Sequence, residues 1–181
     1  MRRLGVILSL MVLGACGIPL DQEPRLLDVE VPTEAADASS SRSDLPVNAK
    51  VYFVDDDRLV AVSRRIADTA PTTALEALLR GPFTAEMELS IRSAIPAGTA
   101  VLGVAVSDFV ATVDLSPEFT LVGGDEEILA VAQIVATASA VEGVDGVILA
   151  IDGTRRNAPV AEGRLVERPL VPADFTGLFS R

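Results

Sequence analysis

The sequence predicts an α+β fold: a single small domain in which a mixed sheet carries two helices packed on one face. Strand-like runs rich in β-branched residues alternate with two segments of helical periodicity, in the order strand, strand, helix, strand, strand, helix, strand. Each helical segment ends at a glycine, Gly81 or Gly143. The run 147–151 is apolar throughout, which is typical of a central strand covered on both faces. Helices gathered on one side of such a sheet give an α+β sandwich.

A hairpin is predicted at the start of the domain. Residues 50–54 form a β-rich run, and residues 58–66 partly alternate apolar with polar side chains. The acidic triplet Asp55-Asp56-Asp57 lies between them and has turn-forming composition. The spacing predicts two paired strands.

The first helix is predicted to be short, over residues 74–80. Thr73 and Glu76 have the spacing of a capping box, which satisfies free backbone N–H groups at a helix start. Gly81 provides a C-terminal cap, and Pro82 prevents the helix from continuing.

A second hairpin and a longer helix follow. Residues 100–106 and 109–115 are read as strands joined by a tight turn at Ser107-Asp108. A helix then runs from Gly124 to about Val141, with three acidic residues in its first turn. Its spacing predicts a narrow exposed stripe made of Glu126, Ala130, Gln133 and Thr137.

Residues 164–171 are predicted to form a last strand. The proline within this run places the strand at an edge of the sheet.

The N-terminus predicts an export signal of residues 1–15. Arg2 and Arg3 precede an apolar run of about ten residues, which fits a signal peptide and is too short to span a bilayer. The sequence Leu13-Gly14-Ala15-Cys16 resembles the lipobox of bacterial lipoproteins, which implies cleavage between Ala15 and Cys16 and a diacylglyceryl group on the Cys16 thiol. An ordinary secretory signal with an incidental cysteine is the alternative.

Four segments are therefore expected: the signal peptide, a lipidated cysteine with an acidic tether over 16–48, a folded domain over 49–176, and a C-terminal tail over 177–181. The tether is rich in Pro, Ser, Asp and Glu and has no sustained apolar period, as in solvated linkers. Its short apolar stretch, residues 26–31, is either a strand that binds a partner or part of the spacer.

Composition excludes several mechanisms. Fifteen Lys and Arg against 26 Asp and Glu give a formal charge of −11, and loss of Arg2 and Arg3 with the signal makes it −13. Such a charge disfavours nucleic-acid binding. The chain has no His, no Trp and one Cys, so imidazole catalysis, aromatic stacking on tryptophan and disulfides are excluded.

Segments spread over residues 50–175 resemble, in order, the GerMN domain of spore germination proteins. The main ones are Val51-Tyr52-Phe53, the run 74–82 (ALEALLRGP), the run 93–99 (SAIPAGT), the run 110–119 (VATVDLSPEF), the run 147–153 (VILAIDG) and the run 169–175 (PLVPADF). The resemblance implies a fold similar to ring-building-motif domains, an extracytoplasmic location, and no catalytic residues.

Candidate chemical sites are each weighed against a structural role. The triplet at 55–57 is either a hard-cation site or a solvated turn. Asp114 and Glu118 form either an acid-base pair or a structural strand end, with Asp114 binding loop amides. Arg155-Arg156 either grips an anion or solvates a loop. A Gly123-Gly124 anion cradle is disfavoured by the acidic residues that follow.

The function expected is a non-enzymatic module of the cell envelope, linked to cell-wall, sporulation or germination processes. It is held on the extracytoplasmic face of the cell membrane by its lipid and contacts an envelope protein, with no cofactor, no metal and no nucleic acid. One alternative is a ligand-binding lipoprotein for a cell-wall fragment or small solute, serving a transporter or sensor. A hydrolase that uses carboxylates alone is a further alternative.

Overall fold

The computed structural model describes residues 45–180. The predicted signal peptide, Ala15, Cys16 and most of the predicted tether lie outside the described residues. The described chain contains eight strands, three α-helices and two 3-10 segments, at Pro117–Leu121 and Pro172–Leu178. The strands are β1 Val47–Asp55, β2 Arg58–Ile66, β3 Val101–Ser107, β4 Val110–Leu115, β5 Gly146–Ile151, β6 Thr154–Arg156, β7 Ala158–Pro159 and β8 Leu165–Val166, and the helices are α1 Pro71–Leu79, α2 Thr84–Met87 and α3 Asp125–Ser139.

The strands confirm the α+β class and divide among three sheets. β1 and β2 form a two-stranded antiparallel sheet, and β7 and β8 form another. The central sheet has the order β3-β4-β5-β6 and is mixed, because β4 and β5 run parallel while both outer pairs are antiparallel. The apolar strand β5 lies between two neighbours, as its composition predicts.

The predicted first hairpin is present, but it starts earlier than expected. β1 begins at Val47, before the predicted strand start at Lys50 and the predicted domain boundary at residue 49. The turn residues Asp56 and Asp57 have φ values of 45° and 62°, as in the tight turns that match the twist of paired strands.

The start of α1 differs from the prediction. The helix begins at Pro71, where a proline's fixed φ suits the first helical position, and no side-chain cap is formed at Ala70. The hydroxyl of Thr73 donates to Asp68 Oδ1 at 2.8 Å, and Asp68 Oδ1 also accepts from the Ala70 N–H at 2.9 Å. The predicted capping box of Thr73 with Glu76 is therefore wrong.

The predicted exposed stripe on α3 is also wrong. Ala130, Gln133 and Thr137 are each 0 % exposed. α3 is buried along its length from Leu129 to Ala138, because the β1–β2 hairpin, α1, β5 and the C-terminal 3-10 segment pack around it. α3 is the central element of the core, and no face of that stretch needs to be polar.

The C-terminal residues belong to the fold. The 3-10 segment Pro172–Leu178 buries Phe175, and the Phe179 ring packs edge-on against Tyr52 with a centroid distance of 5.7 Å. The Ser180 N–H donates to the Leu59 carbonyl at 3.0 Å. The predicted tail therefore packs on the domain up to residue 180, since its apolar side chains cover the hairpin. The predicted last strand is reduced to β8 and a single bridge between Val147 and Leu170.

Candidate functional site

Two buried polar side chains of α3 bind the backbone of β1. The Gln133 Nε2 donates to the Tyr52 carbonyl at 2.9 Å, and the Tyr52 N–H donates to the Thr137 hydroxyl oxygen at 3.0 Å. The Gln133 Oε1 also accepts from the Ala94 N–H at 2.7 Å. These side chains replace a neighbouring strand at the edge of β1 that faces away from β2. Sequence analysis missed this role because it placed both residues in solvent.

A backbone bridge extends the same edge. The Val54 N–H donates to the Arg92 carbonyl at 2.9 Å, and the Arg92 N–H donates to the Val54 carbonyl at 2.8 Å. The polar groups of β1 next to α3 are thus bonded within the fold at Tyr52 and Val54, which identifies their function as structural.

Arg64 forms a buried clamp on the segment after α1. Its side chain lies between two aromatic rings, 5.1 Å from the Phe53 centroid and 4.0 Å from the Phe83 centroid, and is 5 % exposed. It makes two parallel hydrogen bonds to the Glu86 carboxylate, of which Nη1 to Oε1 measures 2.7 Å. The Arg64 hydrogen bonds hold the pKa of Glu86 below its ordinary value. Sequence analysis missed this pair because its partners are distant in sequence.

The acidic turn at the end of the first hairpin is paired with an arginine. Arg92 Nη2 contacts Asp57 Oδ1 at 3.1 Å and Glu126 Oε2 at 3.3 Å. These carboxylates raise the pKa of Arg92, chiefly because its guanidinium donates hydrogen bonds to Glu126. Among residues 45–180, no three acidic side chains converge to hold a metal ion. What the structure shows at this acidic turn is the ion pair between Asp57 and Arg92.

Asp114 and Glu118 have separate roles. The Gly153 N–H donates to both carboxylate oxygens of Asp114, at 2.9 and 3.1 Å, so Asp114 caps the β5–β6 turn, as the structural interpretation predicts. Glu118 is exposed on the 3-10 segment, and a hydrogen bond from Ser116 lowers its pKa. The structure thus gives Asp114 a role in binding the loop amide of Gly153.

The remaining candidate anion sites are bonded within the protein. Arg155 Nη2 donates to the Glu167 carbonyl, and Arg156 Nη2 lies 3.8 Å from Glu127 Oε1. Gly124 is the N-cap of α3 and has a φ of 65°, which suits glycine, and Asp125 follows as the first helical residue. This arrangement favours an architectural role for both segments.

Two small surface cavities flank α3. One, of about 270 Å³, lies between the open end of the first hairpin and the C-terminal end of α3, near Asn48 and Glu142. The other, of about 250 Å³, has an apolar floor that includes Ile128 and Leu178, and carboxylates at its rim. Both are below the range of about 300–1,000 Å³ typical of small-molecule sites.

The strand β3 carries exposed apolar side chains at the edge of the central sheet. It is the outer strand of the central sheet, and Leu102 and Val106 are 52 % and 48 % exposed. Phe109, in the β3–β4 turn, is 63 % exposed and has a φ of 62°, a conformation that aromatic residues rarely adopt. Large exposed apolar side chains on a free strand are typical of a protein contact surface.

A family model described as Germane, sporulation and spore germination, matches residues 50–157, which is more than half of the chain. The chain belongs to the Germane family. The match covers the first hairpin from residue 50, the β3–β4 hairpin, α1, α3 and the β5–β6 turn, so the predicted resemblance to GerMN domains is confirmed.

Solved structures agree with the Germane assignment. The first GerMN domain of the sporulation protein GerM from Bacillus subtilis is 25% identical with a TM-score of 0.57, over 70% of this chain and 98% of that domain. The tandem GerMN domains of the same protein are 24% identical with a TM-score of 0.57, over 71% of this chain and 47% of that structure. This Germane chain therefore spans about half the length of the tandem protein.

A more distant structure shares the fold. A Clostridium perfringens protein named as a candidate lipoprotein is 16% identical with a TM-score of 0.50, over 75% of this chain and 94% of that chain. No curated protein matches the Germane chain. Within the described part of the chain, no helix has the length and apolar character needed to cross a bilayer.

Proposed function

We propose that this Germane-family chain is a lipid-anchored, extracytoplasmic protein that works through protein contacts as an assembly module of the cell envelope. The family match over residues 50–157 carries the proposal, because that family is described by sporulation and spore germination. The role is contact and assembly, within processes that remodel the envelope.

A non-enzymatic role is supported by how the polar side chains are bonded. Gln133 and Thr137 hold β1, Arg64 binds Glu86 of α2, and Asp114 caps a turn. Each of these groups is engaged in holding the fold, which supports a structural role for it.

The anchor rests on Cys16. It is the only cysteine in the sequence, and it directly follows a signal-like apolar run and two small residues. A protein with the same fold carries the name of a candidate lipoprotein, which supports the same location for this chain. Two acyl chains on one thiol give stable membrane attachment where one chain gives only marginal binding.

The anchor is tested by Cys16→Ser. We expect this variant to stay unprocessed or to leave the membrane fraction, and to lose labelling by a fatty-acid probe. A matched variant, Ser9→Ala, alters the signal without touching the proposed cleavage site and should behave as wild type. Unchanged fractionation and labelling of Cys16→Ser would contradict lipid anchoring.

The contact role is tested by crosslinking in cells followed by mass spectrometry of the purified chain. We expect reproducible recovery of an envelope protein or of a second copy of the chain. If no protein partner is recovered reproducibly, the proposed role in protein contacts is contradicted. Hydrolysis of cell-wall fragments by the wild type but not by Asp114→Ala or Glu118→Ala would establish an enzyme instead.

A further inference from the structure

The free edge of β3 carries unpaired backbone groups. In the β3–β4 hairpin the closing pair is Ser107 with Val110, followed by Val106 with Ala111 and Ala105 with Thr112. Antiparallel pairs alternate between hydrogen-bonded and non-bonded, and a two-residue turn is closed by a bonded pair. The N–H and C=O groups of Val104 and Val106 therefore point away from β4.

Backbone bonds elsewhere in the sheet support this alternation. The Ser116 N–H donates to the Ala100 carbonyl on the β3 side of β4, and the Asp152 N–H donates to the Leu115 carbonyl on the β5 side. Successive residues along β4 thus direct their backbone polar groups alternately toward β3 and toward β5. Within residues 45–180, no strand pairs with β3 on its other side.

From Gly103 to Ser107 the edge lacks charged residues and proline, two of the usual features that prevent strand pairing. Residues 101–107 (VLGVAVS) contain no charged residue and no proline, and all seven residues are at least partly exposed. Natural proteins protect such edges with lysine, proline or a covering segment, because a free apolar edge pairs with other strands. One bulge, at Leu102, interrupts the register at the far end of the strand.

We propose that this edge binds the β3 edge of a second copy of the same chain, in antiparallel orientation about a two-fold axis. Val104 of each copy pairs with Val106 of the other, which bonds all four outward-pointing N–H groups. The two central sheets then join into one sheet of eight strands. The inference deepens the proposed function, on which it rests, by naming one partner and its surface.

A second copy fits this edge because of charge and symmetry. The chain has a formal charge of −11, so most of its surface repels another copy, but β3 has no charge to repel. A two-fold interface requires a self-complementary surface. In this register the turn residue Phe109 of one copy comes opposite Val101 at the start of β3 in the other, so a residue that is 63 % exposed in the single chain lies at each end of the shared ladder.

The first test measures association of the full chain by sedimentation velocity across a range of concentrations. We expect a concentration-dependent dimer, and we expect Val106→Lys to raise its dissociation constant at least about tenfold by placing a charge on the edge. Leu165→Lys is the matched control, because Leu165 is a similarly exposed apolar strand residue in a different sheet. A monomer at every concentration, or a dimer that Val106→Lys leaves intact, would overturn the inference.

The second test uses disulfide crosslinking and does not depend on whether the Val106→Lys variant folds. With Cys16→Ala in the background, Ala105→Cys places the only thiol at the two-fold axis, where the proposed pair has a Cα separation of about 4.5 Å, within disulfide range. Thr112→Cys is the control, since Thr112 pairs with Ala105 but lies one strand inward, about 14 Å from its mate. We expect a disulfide dimer with Ala105→Cys alone.

Equal crosslinking of both variants, or of neither, would overturn the edge-to-edge dimer. Capture of another protein through Ala105→Cys would show a different occupant of this edge and would also overturn it. In either case the proposed contact role stands or falls separately, on partner recovery in cells.

Discussion

Gln133 of α3 donates a 2.9 Å hydrogen bond from Nε2 to the carbonyl oxygen of Tyr52 in β1. The same amide accepts the Ala94 N–H, so one fully buried side chain joins the central helix, the first hairpin and the loop before β3. A buried amide bonded through both its oxygen and its nitrogen favours one arrangement of those segments over others, because a shift of β1 or of the loop would leave it unpaired.

Replacing Gln133 by leucine should strongly destabilise the fold. Gln133→Leu leaves the Tyr52 carbonyl and the Ala94 N–H without partners, and each such group costs about 1–3 kcal/mol. We expect a loss of about 2–4 kcal/mol in the free energy of unfolding, measured by urea denaturation. Ile134→Leu is the control, because it conserves volume at the next buried position and should cost less than about 1.5 kcal/mol. Equal losses would show that packing, not hydrogen bonding, sets the value.

Much of this architecture could be predicted from the sequence, because local signals set it. The turns at Asp56-Asp57 and Asp152-Gly153 separate β-rich runs, and the unbroken apolar run of β5 indicates a strand covered on both faces. The α+β class follows from the order of these elements.

The interior polar bonds could not be predicted, because their partners are distant in sequence. Gln133 and Thr137 are spaced four residues apart, which is also the spacing of an exposed helical stripe. Only the position of β1 beside α3 shows that they face backbone instead of water. Arg64 and Glu86 are likewise joined by the tertiary fold, and an arginine in a strand gives no local sign of its partner.

Acid should weaken the Arg64–Glu86 clamp. The Arg64 hydrogen bonds lower the pKa of Glu86 in the folded state below its ordinary value of 4.5, so the stabilisation is complete above that pH and is lost as the pH falls through the lowered folded value. Glu86→Gln removes this titration. We expect its free energy of unfolding to fall less than that of the wild type between pH 6 and strongly acidic pH.

A second carboxylate provides a comparison for the acid experiment. A hydrogen bond from Arg168 lowers the pKa of Asp174, and Asp174→Asn should remove that separate share of the acid sensitivity. The two pairs share no partner, so the effects of the two substitutions should add. Identical pH profiles for the wild type and Glu86→Gln would contradict the assignment of the clamp.

Phe109 should be a strained residue whose replacement stabilises the monomer. Its φ of 62° costs an L-residue about 1–2 kcal/mol, and glycine removes that cost but adds unfolded-state entropy. We expect Phe109→Gly to gain about 0.5–1 kcal/mol by chemical denaturation, while Phe109→Ala, which keeps Cβ, gains nothing. An alanine variant as stable as the glycine variant would show that the ring, not the backbone, is unfavourable. An unfavourable φ at an exposed aromatic residue such as Phe109 is consistent with a side chain that contacts a binding partner.

Proline substitutions should cost different amounts of stability at the two edges of β3, the one that pairs with β4 and the one that faces outward. The Ala105 N–H faces β4, so Ala105→Pro removes a hydrogen bond between the strands and leaves the Thr112 carbonyl unpaired. We expect the free energy of unfolding to fall by at least about 2 kcal/mol. The Val106 N–H faces outward, so Val106→Pro keeps the ladder and should cost less than about 1 kcal/mol in the monomer. Thermal and urea unfolding at low concentration measure both. If Val106→Pro destabilises the monomer as much as Ala105→Pro, then the Val106 N–H is bonded within its own chain and the outer edge of β3 is not free.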